Sequence, residues 1–345
     1  MGIIYTILIF GLIIFIHELG HFLVAKASGV TVHEFALGMG PTILKHQGKN
    51  TKYALRLLPI GGFVQMEGED SQSDDEKAFC KKPIYKKMAI VVAGAVMNLL
   101  LGFVIMVVFY AATPIVGDNE TPLIGTTTIV NFKEDSASQQ AGLKKGDQIL
   151  KMNKTSILIY DDILFELARD EDGIVDFLVK RDGEKVSVPN VSFAKEGEGE
   201  NMSINFDLIM KGVKPSFAPV VKNASLYTVS LARNSWVSIG DLFTGKVGLT
   251  DLSGPVGVGK VVTQVASNGL LNLLKITAFI TISVGMFNLL PFPALDGGRF
   301  VFLIIEAIRR KPANAKLEGT INAIGLGLLM VLMLFVTLKD VIGLF

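Results

Sequence analysis

Four stretches of the chain are apolar over a length that suits a membrane: residues 2–24, and those near 88–112, 272–290 and 321–338. About 20 apolar residues cross the hydrocarbon core as a helix, so each stretch predicts a transmembrane span. Between the second and third spans the apolar density falls. Short alternating runs at Ile124–Phe132, Gln148–Met152, Val175–Lys180 and Lys185–Val188, with one helical stretch at Tyr160–Ala168, predict a small β-rich domain. After the first span, two apolar runs within Lys52–Met66 flank Pro59-Ile60-Gly61-Gly62 and read as a hairpin. Residues 222–247 mix apolar positions with Lys222, Arg233, Trp236 and Lys246. They predict an amphipathic helix, lying in the outer interface or packed on the β-rich domain. Residues 195–201 read as a solvated turn or linker.

The expected fold is an α-helical polytopic membrane protein of about four transmembrane helices, with a membrane-associated β-hairpin or sheet and an inserted small β-rich domain. Its segments are 1–112 (first half of a transmembrane core), 113–213 (the inserted domain), 214–268 (an amphipathic connection) and 269–345 (second half of the core).

Composition sharpens this picture. Half of the 345 residues are hydrophobic and 19% are charged, against ~45–50% and ~25% in a typical soluble chain. A formal charge of +1 lacks the basic footprint of a nucleic-acid partner. The single cysteine, Cys80, cannot form an internal disulfide. The first span has neither the basic leader nor the small-residue cleavage site of a signal peptide, so it reads as a retained helix. Lys81, Lys82, Lys86, Lys87, Arg299, Arg309, Arg310, Lys311 and Lys316 cluster in the loops 25–87 and 291–320. The positive-inside rule therefore expects those loops in the cytoplasm, with both termini and the long segment 113–250 outside.

The candidate chemistry lies inside the first span. His17 and His21, four residues apart on a helix, project from one face, where two imidazoles can bind one zinc ion. Glu18 beside them is placed to act as general base for a water that the metal activates. Ionisable groups at bilayer depth cost roughly 2.5 kcal/mol or more, so such residues usually serve a site. Catalytic zinc generally takes three protein ligands. The best third candidate is Asp296, in Asn288-Leu-Leu-Pro-Phe-Pro-Ala-Leu-Asp-Gly-Gly298, where Pro291 and Pro293 end a helix and two glycines free the backbone after the carboxylate. A capping role for Asp296, on a helix starting near Gly298, is the structural alternative. Glu34, Glu306 and Asp340 are weaker rivals, and His33 and His46 read as solvated or structural.

These residues resemble the bacterial site-2 protease family of intramembrane zinc proteases, through HELGH in the first span and NLLPFPALDGG in the third. The resemblance covers nearly the whole chain. It implies a zinc metalloendopeptidase with His17, His21 and Asp296 as ligands and Glu18 as catalytic base. It also implies substrate contacts at Asn288, and at Gly61 and Gly62 of a membrane-reentrant sheet whose edge pairs with an unwound substrate. Gly94-Ala-Val-Met-Asn98 resembles the small-residue motif of the family's second span; Asn98, a polar amide in an apolar span, needs a hydrogen-bond partner, which another helix, a substrate backbone or zinc-site water can supply. Ser253–Val258 resembles the segment preceding the family's third span. Gly94 and Gly102 are open to a purely structural reading as helix-packing residues. Ala141–Asn153 resembles the core signature of PDZ domains, with Lys154 where a glycine often follows. The implied substrates are single-pass membrane proteins, such as anti-sigma factors and remnant signal peptides, within the inner or plasma membrane. The sequence leaves the oligomeric state open. A non-catalytic membrane adaptor and a zinc transporter are the rival classes.

Overall fold

The computed structural model describes residues 2–69, 73–113, 124–170, 172–193, 195–196, 203–204, 206–248, 252–311 and 314–343. In chain order its elements are α1 (Gly2–Ala27), β1 (Val32–Gln47), β2 (Lys52–Met66), α2 (Ile84–Ala112), β3 (Ile124–Phe132), α3 (Ala137–Gln140), β4 (Gln148–Met152), β5 (Thr155–Ser156), α4 (Tyr160–Arg169), β6 (Ile174–Arg181), β7 (Glu184–Ser192), β8 (Lys195–Glu196), β9 (Ser203–Ile204), β10 (Leu208–Val213), α5 (Phe217–Thr244), α6 (Pro255–Ser267), α7 (Leu270–Asn288), α8 (Asp296–Arg309) and α9 (Ala315–Ile342). A single-turn 3-10 helix, Phe79–Lys81, precedes α2. Among the described residues four helices are long and apolar enough to cross a membrane: Gly2–Ala27, Ile84–Ala112, Leu270–Asn288 and Lys316–Ile342. The chain divides into two compact units, Met1–Ile105 with Leu231–Phe345, and Met106–Ser230.

In the first unit glycines decide how closely the apolar helices approach. A side chain at Gly20 of α1 would strike the backbone carbonyl of Ala93 and Met97 on α2. One at Gly102 of α2 would strike Ile282 of α7, and one at Gly285 of α7 would come within 3.0 Å of the Ala95 carbonyl oxygen. Apolar helices in lipid gain little by hiding from water, so close van der Waals contact at small residues is what packs them.

The loop after α1 departs from the expected hairpin. The two runs of β2 do not pair with each other across Pro59–Gly62. Instead Val32–Leu37 lies between them: Val32, Phe35 and Leu37 face Met66, Val64 and Gly62, while Glu34, Phe35, Ala36 and Leu37 face Lys52, Tyr53, Ala54 and Leu55, with both numbers rising together. The far half of β1 turns back, so that Leu44, His46 and Gln47 face Leu55, Tyr53 and Lys52. The result is a sheet of four segments, and β1 supplies the apolar seam at its centre: Val32 and Ala36 are fully buried. A two-run hairpin would have left that seam unpaired. Val32, Phe35, Val64 and Met66 share a core with Ile90 and Val91 of α2 and Leu303 of α8.

The second unit contains a sheet in the order β10-β3-β4-β6-β7, with β5 against β4. Its core gathers Ile129, Leu143, Ile149, Ile163, Leu167 and Phe177, each worth roughly 1.5–3 kcal/mol when fully buried. Fully buried Asp147 takes both Arg181 Nε (2.8 Å) and Nη2 (2.7 Å), together with the Lys144 amide at 2.9 Å. Gly142 and Gly146 take φ of +112° and +92°, which a glycine adopts without the cost of a Cβ. Of the 195–201 linker, Lys195–Glu196 pairs with Ser203–Ile204, and residues 197–201 lie outside the described set.

Candidate metal centre

Three side chains from two distant parts of the sequence converge in the first unit. The Nε2 atoms of His17 and His21, on α1, are 3.3 Å apart. Asp296, the first residue of α8, places Oδ2 at 3.2 Å from His17 Nε2 and 3.3 Å from His21 Nε2. Among the described residues this is the group of three or more metal-ligating side chains that gathers closely enough to hold an ion.

The edges of that triangle suit zinc. Tetrahedral bonds of ~2.0–2.1 Å separate ligand atoms by ~3.3 Å. The hydrogen bonding around the triangle agrees. His21 Nδ1 lies 2.8 Å from the backbone carbonyl of Ile90, which can only accept, so Nδ1 carries the proton and Nε2 presents a lone pair. Asn98, fully buried on α2, holds its amide 3.4 Å from His17 Nδ1. Nδ2 is the nearer atom, and a half-turn of the amide, which interchanges Nδ2 and Oδ1, would let Oδ1 accept from Nδ1–H and give the second imidazole the same tautomer. Buried Asp296 Oδ2 has no hydrogen-bond donor among the described residues. Three lone pairs facing one another at this range repel unless a cation lies between them, so these residues fit a metal ion.

Glu18 lines the same cavity of about 210 Å³ as His17, His21 and Asp296, together with Gly62, Phe63, Val64 and Met66 of β2. Gly62 abuts it: a Cβ there would lie 2.7 Å from Glu18 Cγ and 3.0 Å from the Ala36 carbonyl oxygen. Gly61, at φ +75°, backs onto Met39. Gly94 of α2 lies directly over the triangle, where a Cβ would strike both imidazoles. Its lack of a side chain thus makes room for the two imidazoles of α1 against α2. Asn288 is the partly buried last residue of α7 and does not line the cavity.

The Asp-Gly-Gly turn differs from its sequence reading in two ways. α8 begins at Asp296 rather than near Gly298, with Leu295 as N-cap. Gly297 and Gly298 do not take positive φ, whereas Ala294 does, at +73°. The two glycines are needed for space: side chains there would strike the carbonyls of Leu290 and Phe292. They let the first turn of α8 press against the segment that follows α7.

The rival carboxylates are engaged elsewhere. Glu34 pairs with Lys52 (2.9 Å) and Arg56 (2.7 Å) on the sheet. Glu306 pairs with buried Lys87 at 2.7 Å. Asp340 Oδ2 accepts from the amides of Gly254 (2.9 Å) and Gly257 (2.7 Å), capping α6. His33 pairs with Glu67, and His46 stacks on Tyr53. Glu69 and Arg299 also line the metal cavity; from the sequence Arg299 stood only among the basic loop residues, and Glu69 went unnoticed. Their only linear signal is that Arg299 stands one helical turn after Asp296.

The chain matches the model of peptidase family M50 over residues 5–332. The chain belongs to this family. It is 39% identical over 343 residues to a Clostridium acetobutylicum protein named as a zinc metalloprotease, covering 99% of this chain and 97% of the relative. It is 31% identical over 420 residues to the regulator of sigma-W protease RasP of Bacillus subtilis, covering 98% of each. It is also 30% identical over 424 residues to the zinc metalloprotease RasP of Bacillus licheniformis, again covering 98% of each. With four helices fit to span a bilayer, this M50 member is a multi-pass membrane metallopeptidase of the site-2 type.

Proposed function

We propose that this M50 peptidase cuts the transmembrane segments of single-pass membrane proteins, anti-sigma factors and remnant signal peptides among them. The metal is zinc, held by His17, His21 and Asp296, and Glu18 is the general base. The observation that carries this reading is the 3.2–3.3 Å triangle of ligand atoms in one cavity with Glu18. The sigma-W regulator among the relatives supports the substrate class.

Bound zinc supplies Lewis acidity, lowering the pKa of water and polarising the scissile carbonyl. The protein residues supply the rest. Glu18 takes the proton of the attacking water and delivers it to the departing amine. The Ile90 carbonyl fixes the tautomer of His21, which keeps its Nε2 lone pair on the ligand side, and the Asn98 amide lies against Nδ1 of His17. The Gly62–Met66 edge of the sheet offers backbone partners to a substrate whose helix has been opened, since unpaired amides are costly in lipid. Asn288, at the end of α7, steadies the substrate backbone near the scissile bond.

In this reading 1–112 and 269–345 form the catalytic core, with the sheet and the metal centre towards the cytoplasmic side. Residues 113–213 form an extracytoplasmic PDZ-like domain that binds a newly exposed end or excludes substrates with a bulky outer domain. Residues 214–268 connect the two. The test is Glu18→Gln in the full chain in detergent, assayed on a model transmembrane substrate. It should keep one zinc per chain and lose hydrolysis; a variant that still cleaves removes Glu18 from its role.

A further inference from the structure

Beyond the metal ligands, one charged pair joins the two walls of the cavity. Glu69 follows β2 by three residues, and its Oε2 accepts from the amide of Met66, the last residue of that strand, at 3.3 Å. Its other carboxylate oxygen takes Arg299 Nη1, and its backbone carbonyl takes Arg299 Nη2 at 2.9 Å. The guanidinium also lies over the Phe79 ring, 5.3 Å from its centroid. Arg299 stands on α8 one turn beyond Asp296, and both Glu69 and Arg299 line the metal cavity. The Met66 amide, the Glu69 carboxylate and Arg299 therefore form a short chain of contacts from the end of the sheet edge to α8, the helix that begins with Asp296.

We infer that the Glu69–Arg299 pair is a positioning latch, which holds the Gly62–Met66 edge at a set distance from the metal ligands. The inference rests on the proposed use of that edge as the substrate lane. Along its backbone this edge is hydrogen-bonded among the described residues on one side only, by β1, while Val64 and Met66 pack on α2 and α8 through apolar contacts that fix no register. The Glu69–Arg299 pair adds a directional polar tie at its far end; with that tie weakened the end shifts along α8, and a carbonyl paired to it moves with it. A displacement near 1 Å in a reacting group costs on the order of 10²-fold in rate. Arginine suits the task because its planar fork reaches the carboxylate and the carbonyl together, whereas lysine is a point charge.

The experiment uses the zinc-loaded full chain in nanodiscs, with Arg299→Met, Glu69→Gln, Arg299→Lys and the exchange Glu69→Arg with Arg299→Glu. Hydrogen exchange is followed at residues 61–66, together with zinc content and steady-state cleavage of a model transmembrane substrate. Arg299→Met and Glu69→Gln should keep one zinc per chain, quicken exchange at 61–66 by about tenfold, and raise KM more than they lower kcat. Arg299→Lys should fall between parent and Arg299→Met, and the exchanged pair, which restores the ion pair but neither the acceptor for the Met66 amide nor the donor to the residue-69 carbonyl, should recover part of the loss. Unchanged exchange at 61–66, or a rise spread evenly over the chain with loss of zinc, overturns the latch. Exchange is read without turnover, so a parent protein that showed the expected exchange but cut nothing would sink the protease reading and leave the latch standing.

Discussion

Gly94→Ala tests the metal centre through a residue that is itself no ligand. A Cβ at this position would lie 2.7 Å from His17 Cε1 and 2.8 Å from His17 Nε2, and nearer still to His21 Nε2. Carbon and nitrogen settle at about 3.5 Å, so the His17 ring must retreat by roughly 0.7 Å or α2 must lift off α1. Lifting forfeits the close packing of α1 on the Ala93 carbonyl at Gly20. Zinc–ligand distances hold to about ±0.2 Å, so the forced movement is around three times the tolerance. The expected loss of zinc affinity is at least the roughly 10–100-fold seen when supporting contacts of a metal ligand are removed. The assay is competition with a chromophoric chelator on purified full chain, alongside cleavage of a transmembrane substrate. Gly11→Ala serves as the control, because that position on α1 faces open space and alanine is favoured over glycine in a helix by about 1 kcal/mol. It should keep parental affinity. Gly94→Ala binding zinc as tightly as the parent would refute the close approach of α2 to the ligands.

Two further predictions concern stability. Asp147→Ala leaves part-exposed Arg181 with the Gly142 carbonyl at 2.9 Å and frees the Lys144 amide, and should destabilise the β-rich unit by about 1–3 kcal/mol, seen as protease cleavage between 124 and 213 at unchanged zinc content. Asp340→Ala leaves the Gly254 and Gly257 amides unsatisfied at a cost of roughly 1–3 kcal/mol, read as a lower melting temperature. Asp340→Asn, which keeps an acceptor, should recover most of it, and neither variant should lose zinc.

Periodicity and spacing along the chain determined much of this protein. Apolar length alone marks the four spanning helices, because a bilayer demands it of any sequence. The strands Ile124–Phe132 and Gln148–Met152 follow from alternation, and the stretch from Tyr160 folds as the expected helix. His17, Glu18 and His21 declare themselves because their geometry is local: a helix places positions four apart on one face whatever surrounds it. Asp296 was identifiable from its proline-rich setting and the family resemblance, and the fold brings it to the two histidines.

Tertiary structure decided the rest. Strand pairing in the sheet depends on burying the Val32–Ala36 seam, and the pattern within Lys52–Met66 carries no information about a strand twenty residues earlier. The two glycines after Asp296 suggested a supple backbone, but their purpose is clearance for carbonyls of a neighbouring segment. The Ile90 carbonyl that orients His21 has no linear signature, and the Glu69–Arg299 pair beside the His17–His21–Asp296 triangle has none beyond the spacing of Arg299 from Asp296, because each joins groups that are adjacent only after the helices and the sheet have packed. A motif confined to one helical turn can be read from the chain, while a contact between separate elements exists only once the fold closes the distance.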